Sequence, residues 1–284
     1  MEMAKNTIVF DLHGPVAFFR VPRTTRMIMS YPFPPKTAIV GLIAGILGES
    51  RNMYWRAGSP LASMELALEI LRPGIPMSLR VNHEQTKENF SGITLGSRYG
   101  KVTIVKTVDT TKRGFTTQQK LQVLRDVVYR IYCRFPVGVD TGKELSRALE
   151  KHEYVYPPYL GNVNFFAEVD YVGNFPLIPV KNDKPGISSI VPASCMNPSD
   201  ESFRMGSHDM CFNVPCAYKV EKELLRGEID EEQIPGLNTW RIVDVSYDNF
   251  LFHDAGEPIE VEVKEGIEIF SINSNGQRPV FCFY

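Results

Sequence analysis

The sequence predicts an α+β fold: a ferredoxin-like module of the RNA-recognition kind, followed by a smaller, mostly β region. Three observations predict it. Apolar periodicity before Pro179 switches between periods of about 2 and about 3.6, in the order strand, helix, strand, strand, helix, strand. A polar stretch rich in Gly and Thr, 84–120, interrupts that order between the second and third strands, as an excursion or hairpin would. After Pro179 the composition turns acidic with β character, which divides the chain into a domain over 1–180 and another over 181–284. With 284 residues, 43% apolar and 23% charged, the chain can bury a sizeable core, and wholesale disorder is excluded.

Thr7 to Leu12 reads as the first strand, with Asp11 its one misfit. Pro34 and Pro35 open a helix that runs to Gly48, because proline suits a first helical turn and glycine a C-terminal stop. That helix is apolar on nearly every side, so it must be buried. Ala38, Gly41, Gly45 and Gly48 form one smooth stripe, suited to close approach against a sheet. Leu61, Met64, Leu68 and Leu71 fall on one helical face and predict a further helix over 61–71. Ile75 to His83 alternates as a strand, and Gln122 to Phe135 is rich in β-formers. Within the insertion, Val102 to Val108 is a short β-like run. Gly142 to His152 predicts a helix capped by Thr141 with Glu144 three residues on. Asn164 to Val172 is the next strand. In the acidic part, strands are expected over 189–192, 210–220, 241–252, 259–272 and 280–284, with an acidic helix over 224–233.

The near-zero net charge of −2 hides an asymmetry. Residues 1–142 carry net +9 and residues 143–284 net −11, so the first part suits an anionic partner. Five cysteines, an odd number, and no signal-like start point to a reducing, cytoplasmic setting. The longest apolar run, Ala38 to Leu47, is ten residues, short of the roughly 20 that a membrane span needs.

The segment from His13 to Lys36 is the most informative. It sets Arg20, Arg23, Arg26 and Lys36 among Phe18, Phe19, Tyr31 and Phe33, with no acid between. Guanidinium forks grip phosphates, and rings stack unpaired bases. Lys36 and Thr37 sit where a helix N-terminus favours an anion. The alternative is a solvated basic loop whose Phe residues are core, and Phe18 and Phe19, taken singly, read as core rather than base-stacking. The insertion adds Lys87, Arg98, Lys101, Lys106, Lys112 and Arg113 against Glu84, Glu88 and Asp109, which suit either wrapping a nucleic-acid backbone or an ordinary exposed hairpin.

Catalytic signals are poor. G-x-x-x-x-G-K-[ST], G-x-G-x-x-G, H-E-x-x-H and G-x-S-x-G are all missing from the sequence, and no cofactor is expected. His13 and His83 stand at strand ends, where each suits RNA binding or, alternatively, a general base on a ribose 2′-hydroxyl. Lys151–His152 reads as a solvated helix end. Cys195, His208, Cys211 and Cys216 lack a C-x-x-C pair, so reduced thiols are expected rather than zinc.

Phe10 to Pro22 together with Ser30-Tyr-Pro-Phe-Pro-Pro-Lys-Thr-Ala-Ile-Val-Gly-Leu-Ile-Ala-Gly-Ile-Leu-Gly48 resembles the fifth CRISPR-associated protein family, RAMP-type subunits of the type I interference complex Cascade. Tyr156-Pro-Pro-Tyr-Leu-Gly-Asn162 is similar to a turn of the same family, and the subtype most resembled is I-B. The resemblance implies a non-catalytic subunit that caps the 5′ handle of the crRNA. It also implies contacts with the backbone and large subunits, and target DNA near the PAM. The chain would then work in a ribonucleoprotein rather than as an autonomous homo-oligomer. On this resemblance Arg20, Arg23, Arg26, Tyr31 and Lys36 would line the handle, and 84–120 would be the thumb. One branch of the family cuts precursor guide RNA, so a metal-independent endoribonuclease is the alternative. A protein scaffold docking through Glu228 to Glu232 is a third.

Overall fold

The computed structural model describes residues 3–22, 24, 27–50, 54–56, 58–84, 116–181, 184–197, 209–225, 239–274 and 276–284, with backbone alone at 83–84, 116–117, 219–225 and 239–244. The fold is α+β with antiparallel sheets. β1 (Asn6–Ala17), β2 (Glu65–Arg72), β3 (Ile75–Glu84), β4 (Thr116–Arg134) and β5 (Glu168–Pro176) make the main sheet. Its order is β2-β4-β1-β5, with β3 also on β4. β2 and β3 lie one after the other along the same edge of β4. Glu65 pairs with Arg134 at one end, and Glu84 pairs with Thr116 at the other. Between these two stretches, Asp126 takes φ 59°, a left-handed value that lets β4 turn from the sheet into the β3–β4 hairpin.

β1 alternates cleanly. Ile8, Phe10 and Leu12 face the helices, whereas Val9, Asp11 and His13 face the other side. α1 (Lys36–Leu47) and α2 (Thr141–Lys151) cover the first face, burying Ile39, Val40, Ile43 and Ile46 from one and Leu145 and Leu149 from the other. α2 starts from Asp140 rather than Thr141, and the Glu144 amide donates to the Asp140 carbonyl.

The helix expected over 61–71 is not formed. Residues Glu65–Arg72 are instead the strand β2. Leu66, Leu68 and Ile70 fill the helix-side core, while Ala67 is buried on the opposite face. A strand buried on both faces reads as a continuous apolar run, which a spacing of three and four residues also fits. The glycine stripe of α1 is a second correction. A Cβ on Gly41 would meet the Tyr54 hydroxyl at 3.8 Å, and one on Gly45 would meet Tyr156 Cβ at 4.0 Å. The close neighbour is therefore a loop, not the sheet. Val155 and Tyr156 donate their amides to Ile46 and Gly45 carbonyls at 3.1 and 3.2 Å, satisfying the last turn of the helix.

Beyond β5, β6 (Ile178–Pro179), β7 (Gly186–Ile187) and β8 (Val191–Pro192) are short. β9 (Asp209–Leu225) and β10 (Thr239–Phe252) form a long hairpin, followed by β11 (Ile259–Glu260), β12 (Ile269–Ser271) and β13 (Val280–Cys282). The single strand expected over 259–272 is thus two short ones, and Leu224 and Leu225 are strand, not helix. The rest of the expected acidic helix, the run 102–108 and Glu228 to Glu232 lie outside the described residues. β13-β12-β6 packs on the second face of the main sheet through Phe270, Ile272 and Phe281 against Val9, Ala67 and Tyr132. Tyr132 and Phe281 stack with centroids 4.2 Å apart. Val214 and Phe250 of the long hairpin join the helix-side core.

Among the described residues no helix is long and apolar enough to cross a membrane.

Candidate nucleic-acid interface

The segment after β1 folds back on itself. Tyr31 donates its amide to the Phe19 carbonyl at 2.7 Å, Val21 donates to Met29 at 2.8 Å, and Arg20 bridges Ser30. This small clamp lies on the β3–β4 hairpin. The Ile28 amide donates to the Lys120 carbonyl and its carbonyl accepts from Gln122, each at 2.9 Å. Phe18, Ile28, Leu121 and Val123 form the apolar filling between the two, with Met77, Leu79 and Val81 packed against them. Phe18 and Phe19 are core, at 5% and 4% exposure.

The alternation that turns Met77, Leu79 and Val81 inward turns Ser78, Arg80 and Asn82 outward. Across the ladder Arg80 faces Lys120 and Asn82 faces Gln118, and all four are exposed. Arg20 is exposed on the clamp. Over 78–82 and 118–120 this hairpin face carries cations and amides. Sequence reading passed over Arg80 and Lys120, although the alternation around Met77, Leu79 and Val81 already set Arg80 on the outward face. Arg23, Arg26, Arg98, Lys101, Lys106, Lys112, Arg113 and the His83 side chain lie outside the description.

Three of the expected residues are engaged within the chain. Tyr31 is only 2% exposed, and its hydroxyl donates to the Asn213 carbonyl at 2.6 Å. Burial pushes its pKa up to about 12, so it stays neutral. Lys36 donates to the Tyr284 carbonyl at 2.6 Å and stands 5.7 Å from the centre of that ring. Burial lowers its pKa. His13 shares 2.9 Å with Asp170 on the second face of the sheet. Thr37 lines a cavity of about 280 Å³ with Tyr54, Tyr159 and Tyr218 at the start of α1. Beside it, Gly41, Gly45, Tyr156, Pro158, Val163 and Phe166 shape an apolar groove of about 310 Å³.

The His13 face also holds a polar network. Arg130 grips Asp11 with two bonds of 2.7 and 2.8 Å, and the Tyr132 hydroxyl donates to Glu69 at 2.5 Å. The bond to Asp11 raises the Arg130 pKa. Burial raises that of Glu69 above its ordinary 4.5, against the opposing pull of Tyr132 and Arg130. A carboxyl whose folded pKa is raised costs stability when ionised, and the cost fades as pH falls through the folded value. Glu69→Gln keeps an acceptor for Tyr132 and removes that charge beside Asp11. The variant should therefore melt higher than the native chain at pH 7, with the gap closing toward pH 4.5. A constant gap across a thermal series from pH 4.5 to 8 would contradict this.

Among the described residues no cluster of His, Cys, Asp and Glu could hold a metal ion, and the five cysteines are unpaired by disulfide. His208 lies outside the description.

The model of the CRISPR-associated protein family Cas5 matches residues 7–196. The chain belongs to the Cas5 family. The match runs from β1 through β8, so it takes in the whole main sheet. Solved structures that this chain matches include a chain of a CRISPR RNA-guided surveillance complex (16% identity, 90% of this chain and 91% of that one, TM-score 0.46). A CRISPR protein from Archaeoglobus fulgidus is 10% identical over 98% of this chain and 99% of that one, with TM-score 0.37. A protein described as a Cas protein is 21% identical over 56% of this chain and 58% of that one, with TM-score 0.34. Comparison with curated proteins gives no match.

Proposed function

We propose that the chain is a non-catalytic subunit of a CRISPR RNA-guided interference complex of the Cascade kind, holding the 5′ handle of the crRNA and capping that end of the assembly. The observation that carries this reading is the exposed cation pair of the β3–β4 hairpin, Arg80 and Lys120 facing each other across the ladder, with exposed Arg20 on the adjoining clamp. Cations held on a ladder are fixed in spacing, which suits consecutive phosphates of one strand. The sheet order β2-β4-β1-β5 fits a ferredoxin-like module whose third strand is lengthened into a thumb. Contacts with backbone and large subunits near the PAM, a type I-B origin, a cytoplasmic setting and a division near residue 180 belong to the same proposal.

The test is binding of a labelled handle RNA to the native chain and to the triple variant Arg20→Ala, Arg80→Ala, Lys120→Ala. The variant should bind more weakly. The slope of log affinity against log salt should shrink by roughly 0.7 per lost phosphate contact, so by about 2 in all. An unchanged slope would sink the reading.

A second reading, a metal-independent endoribonuclease, is favoured by His13 held 2.9 Å from Asp170 on an open part of the sheet. Incubating the chain with repeat RNA in EDTA tests it. A product with a 2′,3′-cyclic phosphate supports cutting, and its absence removes the reading.

A further inference from the structure

The long C-terminal hairpin carries a feature that neither the clamp nor the thumb explains. In β9–β10, Cys211 faces Phe250 and Val214 faces Asp248, so Phe212 and Asn213 together oppose Asn249. Two residues against one is a bulge, and Asn213 takes a left-handed φ of 54° within it. The distortion is held from three sides. The Asn213 amide donates to Asn249 Oδ1 at 2.9 Å, its carbonyl accepts from Tyr31 at 2.6 Å, and the Asn249 amide donates to Asp248 at 2.7 Å.

The bulge has one geometric result. Successive side chains of a regular strand point to opposite faces, but here Phe212 and Asn213 are both exposed. They line one cavity of about 360 Å³ with Tyr247 of β10 and with Val21, Pro22 and Tyr31 of the clamp. Phe212 is 60% exposed and Tyr247 50%. Single exposed apolar residues are ordinary surface. Two half-exposed rings around one cavity, one of them set on a bulge with three supporting hydrogen bonds, are not.

We infer that this cavity is a binding site for one unpaired nucleobase of single-stranded RNA, stacked against Phe212 and Tyr247. The inference rests on the proposed RNA-binding role and adds to it a base-reading part supplied by the acidic half of the chain. Its chemistry fits a base on three counts. The two rings offer flat apolar surface, and stacking on such rings tolerates any base. Asn213 brings an amide with both donor and acceptor for a base edge. Arg20 immediately precedes Val21 in the cavity wall, so a phosphate contact adjoins the base pocket. Tyr31 closes the pocket with a hydroxyl whose hydrogen is already directed to Asn213 and whose oxygen still accepts.

The experiment measures anisotropy of 5′-labelled rU8 and rA8 with the full chain. Phe212→Ala and Tyr247→Ala should each weaken binding about tenfold, since stacking contributes on the order of 1–3 kcal/mol per base and tenfold corresponds to about 1.4. Phe212→Leu should lose nearly as much, because it keeps apolar bulk without the ring, and Tyr247→Phe should bind as the native chain does. None of these should alter the salt slope, whereas Arg20→Ala should. Both rings are surface-exposed, so melting temperatures should stay within a few degrees, which verifies folding. As an independent readout, Phe212→Trp should lose indole fluorescence on adding rU8. If the ring variants bind both oligonucleotides as the native chain does while Arg20→Ala weakens, the base pocket is overturned and the RNA-binding role survives. If the ring variants instead impair only assembly with protein subunits, the cavity is a protein-docking site and the inference fails. If the native chain binds neither oligonucleotide nor handle RNA at low salt, the RNA-binding role falls and the pocket with it.

Discussion

Gly161→Ala is expected to destabilise the chain by about 4 kcal/mol, among the largest effects of any single methyl group here. Gly161 has φ +78°, and a Cβ there would stand 2.2 Å from the Phe18 carbonyl oxygen and 2.8 Å from a Phe19 ring carbon. The left-handed conformation alone costs an alanine roughly 1–2 kcal/mol. The remainder comes from the backbone oxygen, which cannot move aside alone because the Phe18 amide is held 3.0 Å from the Leu160 carbonyl. Any relief must push the Phe18–Arg20 stretch away, so RNA affinity should fall with stability. Gly58→Ala is the control. Its φ of +85° carries the same conformational cost, but nothing lies within 4 Å of its Cβ position. Urea unfolding should separate the two variants by about 2 kcal/mol or more, and equal losses would mean that the contact with Phe18 contributes nothing.

Arg134→Ala should cost about 3 kcal/mol and loosen the C-terminal strands first. The guanidinium lies over two adjoining rings, 4.9 Å from the centre of Phe270 and 4.7 Å from that of Phe283, and bonds Glu65 through Nε at 2.7 Å and through Nη2. It is 11% exposed, and Glu65 is 34% exposed, so the ion pair is only partly desolvated and the rings carry much of the effect. Arg134→Lys keeps the charge but loses the planar fork, and should recover less than half of the loss. Hydrogen exchange gives the decisive pattern: in the alanine variant, protection at 269–271 and 280–282 should drop well before that of β1. A uniform drop would show that Arg134 does not join the two sheets.

Much of this architecture was legible in the sequence because its signals are local. α1 lies between a proline and a left-handed Gly48, β4 fills a dense run of β-formers, and Phe18 and Phe19 read as core. The failures are of another kind. Glu65 to Arg72 has spacings that fit a helix as well as a strand, and only burial on both faces decides for the strand. Tyr31 and Lys36 looked like ligand-facing groups because sequence shows residue type but not direction. Their partners, Asn213 and Tyr284, lie 182 and 248 residues away. The Asn213 bulge leaves no mark on composition, so the pocket beside it was invisible. The alternation of β3, by contrast, does contain Arg80, on the face opposite Met77, Leu79 and Val81.

The nineteen-residue β4 serves as the common edge for β1, β2 and β3, yet it follows all three in the chain. Its pairing with β1 joins Phe10 to Ile131, a closure of more than a hundred residues. None of these three strands can therefore find its β4 partner in a segment made at the same time. A nascent chain leaving the ribosome carries three orphaned ribbons until β4 emerges, so the sheet must form late and slowly.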